Sequence, residues 1–399
     1  MLKPNDIAIV AGARTPMGRY CEKLRDFTAM ELGAIAGKEA IKRAGIEPSE
    51  IDHVVYGNAQ QTSSDSHYGA RHVGVLAGLP IETPALTVNR LCGSGMQSIV
   101  NGAQMIQLGE AKNVLAGGME SMSQAPFVVR GARWGIGLGQ GKLEDALMQG
   151  LLDTQCGLYM AQTAELYAGQ QGITRQQMDE FALRSQKCAD DAYKAGRLQE
   201  ELTPVPLKDR KGKPTGEMFS ADDHMRPQTT LEGLAKLPPA FGKDGMVTAG
   251  NASGIVDGGA AVVLMSMQDA ANRKLKPLGR IIDWGIAGVD PKIMGSGPVP
   301  ATKIALKKAG LKLSDIDLIE VNEAFAGQYL AVEKELGLDR EKTNVNGGAI
   351  ALGHPLGATG TRLVITLLYE LRRRNKKYGL ATACIGGGQG IAAIVESLN

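Results

Sequence analysis

A layered α/β protein built from two similar halves is predicted by three observations on this 399-residue chain. The stretch starting at Ala36 (AGKEAIKRAGIEPSEIDHVVYGNA) returns without a gap as the stretch starting at Ala301 (ATKIALKKAGLKLSDIDLIEVNEA). Strand-like and helix-like segments alternate within each half, the pattern that lays helices on a sheet. The chain is also too long for one ordinary core.

The repeat rests on ten identities: Ala36/Ala301, Lys38/Lys303, Ala40/Ala305, Lys42/Lys307, Ala44/Ala309, Gly45/Gly310, Ser49/Ser314, Ile51/Ile316, Asp52/Asp317 and Ala59/Ala324. Each copy reads as an Ala/Lys helix stopped by Gly, a Ser-x-Ile-Asp turn and a short apolar strand. The same offset places Gly95 on Gly360 and Leu115-Ala116 on Leu380-Ala381. Met96, Ile99, Val100, Ala103 and Ile106 have helical spacing, as do Leu363, Val364, Leu367, Leu368 and Leu371. The second of these helices ends in Arg372-Arg373-Arg374, where cations suit the helix dipole. A strand follows each: NVLAGG in the first half, YGLATACIGG in the second. Residues 1–121 with 249–275 then form the first half, and residues 276–399 the second. Residues 122–248 have no counterpart and are expected to be an insertion, a good place for substrate-binding elements.

Composition narrows the class. The chain is 43% hydrophobic and 22% charged, which excludes disordered and collagen-like classes. A formal charge of +2 gives no argument for a nucleic acid or membrane partner. No apolar run is long enough for a transmembrane helix. Neither a signal or transit peptide nor a peroxisomal tripeptide is evident in MLKPNDIAIVAGA and ESLN, so the cytosol is the expected compartment. The five cysteines are odd in number and widely spaced, which points to free thiols in a reducing compartment. No CxxC, HExxH or His/Cys cluster occurs, so no bound metal is expected.

Three segments carry chemistry. Cys92 in VNRLCGSGMQS lies where a strand-like stretch ends and an amphipathic helix begins, a setting that favours a thiolate. Small neighbours give a substrate access to the sulfur. The sequence leaves two readings, a nucleophile or a buried core cysteine. His354 in GGAIALGHPLGATGTR is either a proton-transfer group or a structural turn residue pinned between Gly353 and Pro355. By the repeat offset Cys92 maps to Gly357, so a pseudo-twofold arrangement brings the two helix entrances together at the seam between halves. Cys384 in TACIGGGQGIA ends a strand and runs into three glycines, which give backbone N–H groups access to a ligand oxygen. One more strand, not a helix, follows, which speaks against a dinucleotide-binding loop. Asn322 in LIEVNEAFAG orients a water or a carbonyl, or caps a helix. His53, His67, His72 and His224 lack a comparable setting, and Cys21, Cys156 and Cys188 read as structural.

Taken together, CGSG at Cys92, NEAF at Asn322, GHPxGxxG at His354 and CxGGG at Cys384 resemble the thiolase family in order and spacing. TAGNASG near Ser253 and GGMESMSQAP near Glu120 add to the likeness, which covers essentially the whole chain. It is greatest to 3-ketoacyl-CoA thiolases of the mitochondrial type and bacterial acetyl-CoA acyltransferases. The resemblance implies a five-layered α/β/α/β/α fold, a homo-oligomer (dimer or tetramer) and coenzyme A as co-substrate, with no redox or metal cofactor. It implies that Cys92 is acylated and that His354 activates it and, with a water held by Asn322, forms one oxyanion hole. The backbone N–H groups of Cys92 and Gly386 form the other. Cys384 is then the general acid/base at the α-carbon. Arg226 and Ser253 are the implied CoA contacts, with Phe241 and Met160 lining the pantetheine tunnel. The basic run Lys208, Arg210, Lys211 and Lys213 attracts phosphates or is simply a solvated loop.

One departure matters. Short-chain biosynthetic thiolases carry Tyr-His-Met-Gly where this chain has Leu158-Tyr159-Met160-Ala161. That argues against strict acetoacetyl-CoA specificity and for a broader 3-ketoacyl-CoA range. The competing readings are a ketoacyl-synthase-type condensing enzyme, opposed by Cys384 in CxGGG, and a non-catalytic acyl-CoA or lipid-binding relative.

Overall fold

The computed structural model describes residues 6–398. The first half runs β1 (Ile7–Arg14), α1 (Ala29–Ala44), β2 (His53–Gly57), α2 (Gly69–Ala77), β3 (Ala85–Val88), α3 (Ser94–Leu108) and β4 (Val114–Glu120). A long excursion carries α4 (Met160–Gln170) and α5 (Arg175–Lys194) before β5 (Val256–Ser266) returns to the sheet. The second half runs β6 (Gly279–Gly288), α6 (Pro298–Ala309), β7 (Leu318–Val321), α7 (Ala326–Leu336), α8 (Leu356–Arg373), β8 (Tyr378–Ile385) and β9 (Gln389–Ser397).

The repeated helices stop alike. Helix α1 ends at Gly45 with φ 68°, and its counterpart α6 ends at Gly310 with φ 67°, a left-handed cap that glycine adopts without steric cost. Helix α1 opens on a capping box in which Thr28 and Glu31 each accept the other's backbone N–H.

The hydrogen-bonded strand order is β7-β8-β9-β6-β1-β5-β4-β2-β3, with the short strand Gly18–Arg19 paired to β5. Each half repeats one scheme: two neighbouring strands run parallel (β2 with β4, β7 with β8), and the next two join antiparallel. The half-sheets meet where the corresponding strands β1 and β6 pair antiparallel, Ile7 opposite Ile281 and Ile9 opposite Gly279.

Alternation along the strands produces the layers. In β1, Ile7 and Ile9 join the central core while Ala8 and Val10 join the outer core beneath α1 and α2. In β5, Ala260, Val262 and Leu264 point to the centre and Ala261, Val263 and Met265 outward. In β9, Ile391, Ala393 and Val395 face the centre while Ala392 and Ile394 join the opposite outer core with α6 and α7. Helices α3 and α8 fill the central layer between the two half-sheets, which completes the α/β/α/β/α stack.

These two central helices approach closely. A Cβ on Gly95 would lie 2.7 Å from the Gly357 carbonyl oxygen, and one on Gly360 would lie 2.3 Å from the Met96 nitrogen. Gly118 of β4 is tighter still, at 1.9 Å from the same Gly357 oxygen. Only glycine fits at these points. Both helix N-termini are thereby brought to one place.

The excursion between β4 and β5 is tied back to β1 through a buried ion cluster. The Arg14 guanidinium donates to Glu201 at 2.5 Å and to both carboxylate oxygens of Asp222 at 2.7 and 2.8 Å. Fork geometry compensates the buried charges, so losing Arg14 would strand two buried carboxylates. The Pro/Lys-rich segment around the basic run Lys208–Lys213 forms a hairpin of Val205–Lys208 with Pro214–Phe219. Its Lys208 is engaged internally, on Glu31 at 2.5 Å and over the Phe27 ring.

Candidate active site

The turn that carries Cys92 is local strain held by local bonds. Leu91 has φ 44°, a left-handed conformation costly for a branched side chain, and Cys92 follows it in a single 3₁₀ turn that runs into α3. The Leu91 N–H donates to Asn89 Oδ1 at 2.9 Å, and Ser94 Oγ donates to the Leu91 carbonyl at 2.7 Å. This turn aims the Cys92 side chain into an apolar cavity of about 190 Å³.

That cavity gathers residues from distant parts of the chain. Cys92, His354, Cys384, Gly386, Ser253, Met160 and Phe241 all line it. Cys92 is half-buried, and burial pushes its thiol up to about 11 although the N–H groups of Gly386 and Cys92 itself hydrogen-bond its sulfur; the Glu120 charge adds to the rise. Cys384 is fully buried at the end of β8, and burial, then the nearby Cys92, raises its thiol well above the ordinary range.

His354 enters the cavity from the second half. Gly353 precedes it with φ 101°, at a point where a Cβ would meet Val256 at 2.4 Å, so glycine is required there. The His354 N–H donates to the Gly254 carbonyl at 2.9 Å. Its Nδ1 lies 2.6 Å from Thr359 Oγ1, which itself donates to the Pro355 carbonyl at 3.0 Å. Oγ1 must then accept from Nδ1–H, which leaves Nε2 as the basic nitrogen. Burial, then the Arg362 charge, pulls His354 down to about 3, so the imidazole is neutral at physiological pH.

Asn322 stands one step behind the wall: it does not line the cavity, but its Nδ2 is 3.3 Å from His354 Nε2. Its neighbour Glu323 accepts from Ser185 Oγ at 2.6 Å, Asn344 Nδ2 at 2.8 Å and the Ile350 N–H at 3.2 Å, anchoring the segment that leads to His354. Arg226, the second implied CoA contact beside Ser253, also lies outside this cavity. It lines a neighbouring cavity of about 270 Å³ with Gln186, His224, Thr229 and Gly250. The His224 ring abuts Gly254, and so stands between the two cavities.

Sequence reasoning missed the site's supports. Glu120 is fully buried and accepts from the N–H groups of Ala59 (3.1 Å), Gln60 (3.0 Å) and Gly357 (2.7 Å) and from Asn58 Nδ2 (2.8 Å). Burial still pushes its carboxyl up to about 7. Glu120 thus bolts the end of β4 to the N-terminus of α8. A hydroxyl one helical turn beyond the histidine was the available signal for Thr359. The apolar lining from Met122, Met148, Leu151, Met294 and Phe325 gave none, because it comes from very short helices and helix ends, where no apolar period can be read.

A duplicated α/β stack with a thiol at a helix entrance, a neutral imidazole and a second thiol on one apolar cavity defines a cysteine-based acyl-transfer class. Family comparison narrows it: residues 7–268 match the model for the thiolase N-terminal domain and residues 275–397 that for the thiolase C-terminal domain. The chain belongs to the thiolase family. It is 55% identical over 392 residues to the mitochondrial 3-ketoacyl-CoA thiolase of Homo sapiens, covering 98% of both chains. It is 49% identical over 388 residues to an acetyl-CoA acetyltransferase of Pseudomonas aeruginosa, covering 97% of this chain and 98% of that one. The crystal structure of the human mitochondrial thiolase in complex with CoA superposes with a TM-score of 0.96 at 53% identity, over 100% of this chain and 99% of that one.

These relatives correct the cytosolic expectation. The human protein and four other mammalian relatives, at 52–55% identity, are mitochondrial by name. The cytosol was read from the lack of a targeting pattern, and a folded enzyme's composition carries no physical record of its compartment. Residues 1–5 and Asn399, on which that reading drew, lie outside the described ones.

Proposed function

We propose that this chain catalyses the reversible CoA-dependent thiolysis of 3-ketoacyl-CoA, including acetoacetyl-CoA, to acetyl-CoA and a shortened acyl-CoA. The reverse direction is Claisen condensation. The observation that carries this reading is the meeting of Cys92, His354, Cys384 and the Gly386 N–H on one apolar cavity.

The geometry performs the reaction in two halves. His354 Nε2 takes the Cys92 proton as the sulfur attacks the 3-keto carbon. The bond between the α- and β-carbons breaks, and its electron pair passes to the acetyl-CoA enolate, which the Cys384 thiol protonates at carbon. CoA then gives its thiol proton to the Cys384 thiolate and attacks acyl-Cys92, and the released Cys92 thiolate recovers its proton from His354. Negative charge appears on oxygen in both halves. The N–H groups of Cys92 and Gly386 receive it in acyl transfer. In the enolate step the charge is received by His354 and by a water on Asn322, whose Oδ1 has no partner among the described residues. These roles need no redox group or metal, because the thioester itself acidifies the α-carbon.

Coenzyme A, on this reading, runs past Met160, Phe241 and Ser253 toward the cavity holding Arg226, and residues 122–248 form the insertion that binds it. Tyr159 packs its ring 5.2 Å from that of Phe241 in the wall, in place of a histidine, which supports a range wider than acetoacetyl-CoA. A homo-oligomer is supported by one stretch that exposes Phe127, Trp134, Leu138 and Leu143, an apolar patch that a second copy would cover.

The test is thiolysis by purified protein across 3-ketoacyl-CoA substrates from acetoacetyl-CoA upward. Cleavage of acetoacetyl-CoA and of longer substrates is expected. Cleavage of acetoacetyl-CoA alone would defeat the broad range, and cleavage at no length would leave an acyl-CoA-binding protein.

A further inference from the structure

The strained Cys92 turn belongs to the first half, while the N–H that meets its sulfur, from Gly386, belongs to the second. The distance between them is set across the seam, and the apolar contacts there (Gly93 against Ile385, Leu91 against Gly386) fix separation but not direction. One polar side chain crosses at this point. Arg90 donates from Nε to Gln97 Oε1 on α3 at 2.7 Å and from Nη1 to Gln389 Oε1 at 2.7 Å. Its own N–H donates to Ser94 Oγ at 2.8 Å, the hydroxyl that also holds the Leu91 carbonyl. Gln389 opens β9 opposite Ile385, the residue before Gly386, across a turn whose Gly387 and Gly388 both have φ 79°. Such a turn has little stiffness of its own.

The partners are informative. Both prongs of this guanidinium end on neutral amides, one from each half. A planar fork held this way transmits angle as well as distance.

We propose that Arg90 is a positioning residue for acyl transfer: gripping Gln97 and Gln389 together, it aims the Gly386 N–H at Cys92. The proposal rests on the reading of Cys92 as the acylated nucleophile and Gly386 as an oxyanion donor. It extends that reading to a residue that touches neither substrate nor sulfur.

The test uses the full-length enzyme with Arg90→Met, Arg90→Lys, Gln389→Leu and the double variant Arg90→Met/Gln389→Leu. Thiolysis kcat and KM, Tm, and the pH profile of iodoacetamide alkylation at Cys92 are measured. Arg90→Met lowers kcat about tenfold, less than deletion of an oxyanion donor because the donor is displaced rather than lost. KM stays within about twofold, and the alkylation profile moves to higher pH because the sulfur loses its Gly386 N–H. Gln389→Leu reproduces both effects, and the double variant is no worse than either single one. Arg90→Lys stays impaired, since a point charge cannot replace the fork. Wild-type kcat and alkylation in Arg90→Met, full rescue by lysine, or multiplying losses in the double variant would each overturn the proposal. Failure of the wild-type enzyme to acylate Cys92 would instead sink the underlying assignment, independently of any Arg90 variant.

Discussion

Cys92 and Cys384 face one cavity, yet the duplication does not relate them. By the repeat offset, the counterpart of Cys92 is Gly357 and that of Cys384 is Met119. Cys92 stands on a strained turn before a helix, with two backbone N–H groups on its sulfur. Cys384 ends a buried strand, where its own N–H is the only group that lowers its pKa among those that shift it. Both thiols are pushed up by burial, but only the first has donors from both halves of the chain. The difference separates two jobs available to one side chain. A supported sulfur can become an anion and attack, while an unsupported one stays protonated and is better suited to handing a proton to carbon.

The largest effect that would break this contrast comes from Cys92→Ala. It should lower thiolysis kcat by about 10⁴-fold or more and leave no acyl adduct in intact-mass spectra. A stable acyl group on any other residue would move the nucleophile elsewhere. Cys384→Ser should cost less and selectively: condensation falls by about 10²–10⁴-fold, while acylation by acetyl-CoA stays within about tenfold. Equal loss of both steps would erase the division of labour.

The smallest effect concerns the imidazole that shares the cavity with the two thiols. Its folded value of about 3 lies below the ordinary histidine value of 6.5, so between these pH values the unfolded chain binds more protons. Stability therefore rises with pH across that window, and acidification through it removes the contribution. His354→Gln cannot titrate and should shrink the fall in Tm between about pH 7 and about pH 5 by a few degrees. An unchanged acid limb would mean that His354 is not held neutral.

The duplicated architecture was legible because gap-free identities such as Gly45/Gly310 and Asp52/Asp317 sit at helix stops and turns, where backbone geometry dictates the residue. Cys92, His354 and Cys384 were legible as helix-entrance and strand-end residues. Their convergence followed from the expected pseudo-twofold, and the glycine contacts between α3 and α8 show how it is achieved. The second cavity, which holds Arg226, was not legible, because Arg226 lies in a long irregular loop, where neither period nor cap fixes direction. The Pro/Lys-rich hairpin was unread for a similar reason, since its strand Pro214–Phe219 is exposed at five of six positions and shows no alternation. Glu120 and Thr359 act through bonds to backbone and to another side chain, which composition does not announce.

The glycine crossing of α3 and α8 is, in mechanical terms, a joint without play. Gly95, Gly118 and Gly360 each face a partner backbone with no room for one methyl group. His354 and Cys92 are mounted on opposite sides of that joint. A half exchanged between two related enzymes would therefore have to bring its glycine face with it as one part of a matched pair. A joint loosened by a single carbon would part the imidazole from the thiol while each half still kept its own sheet.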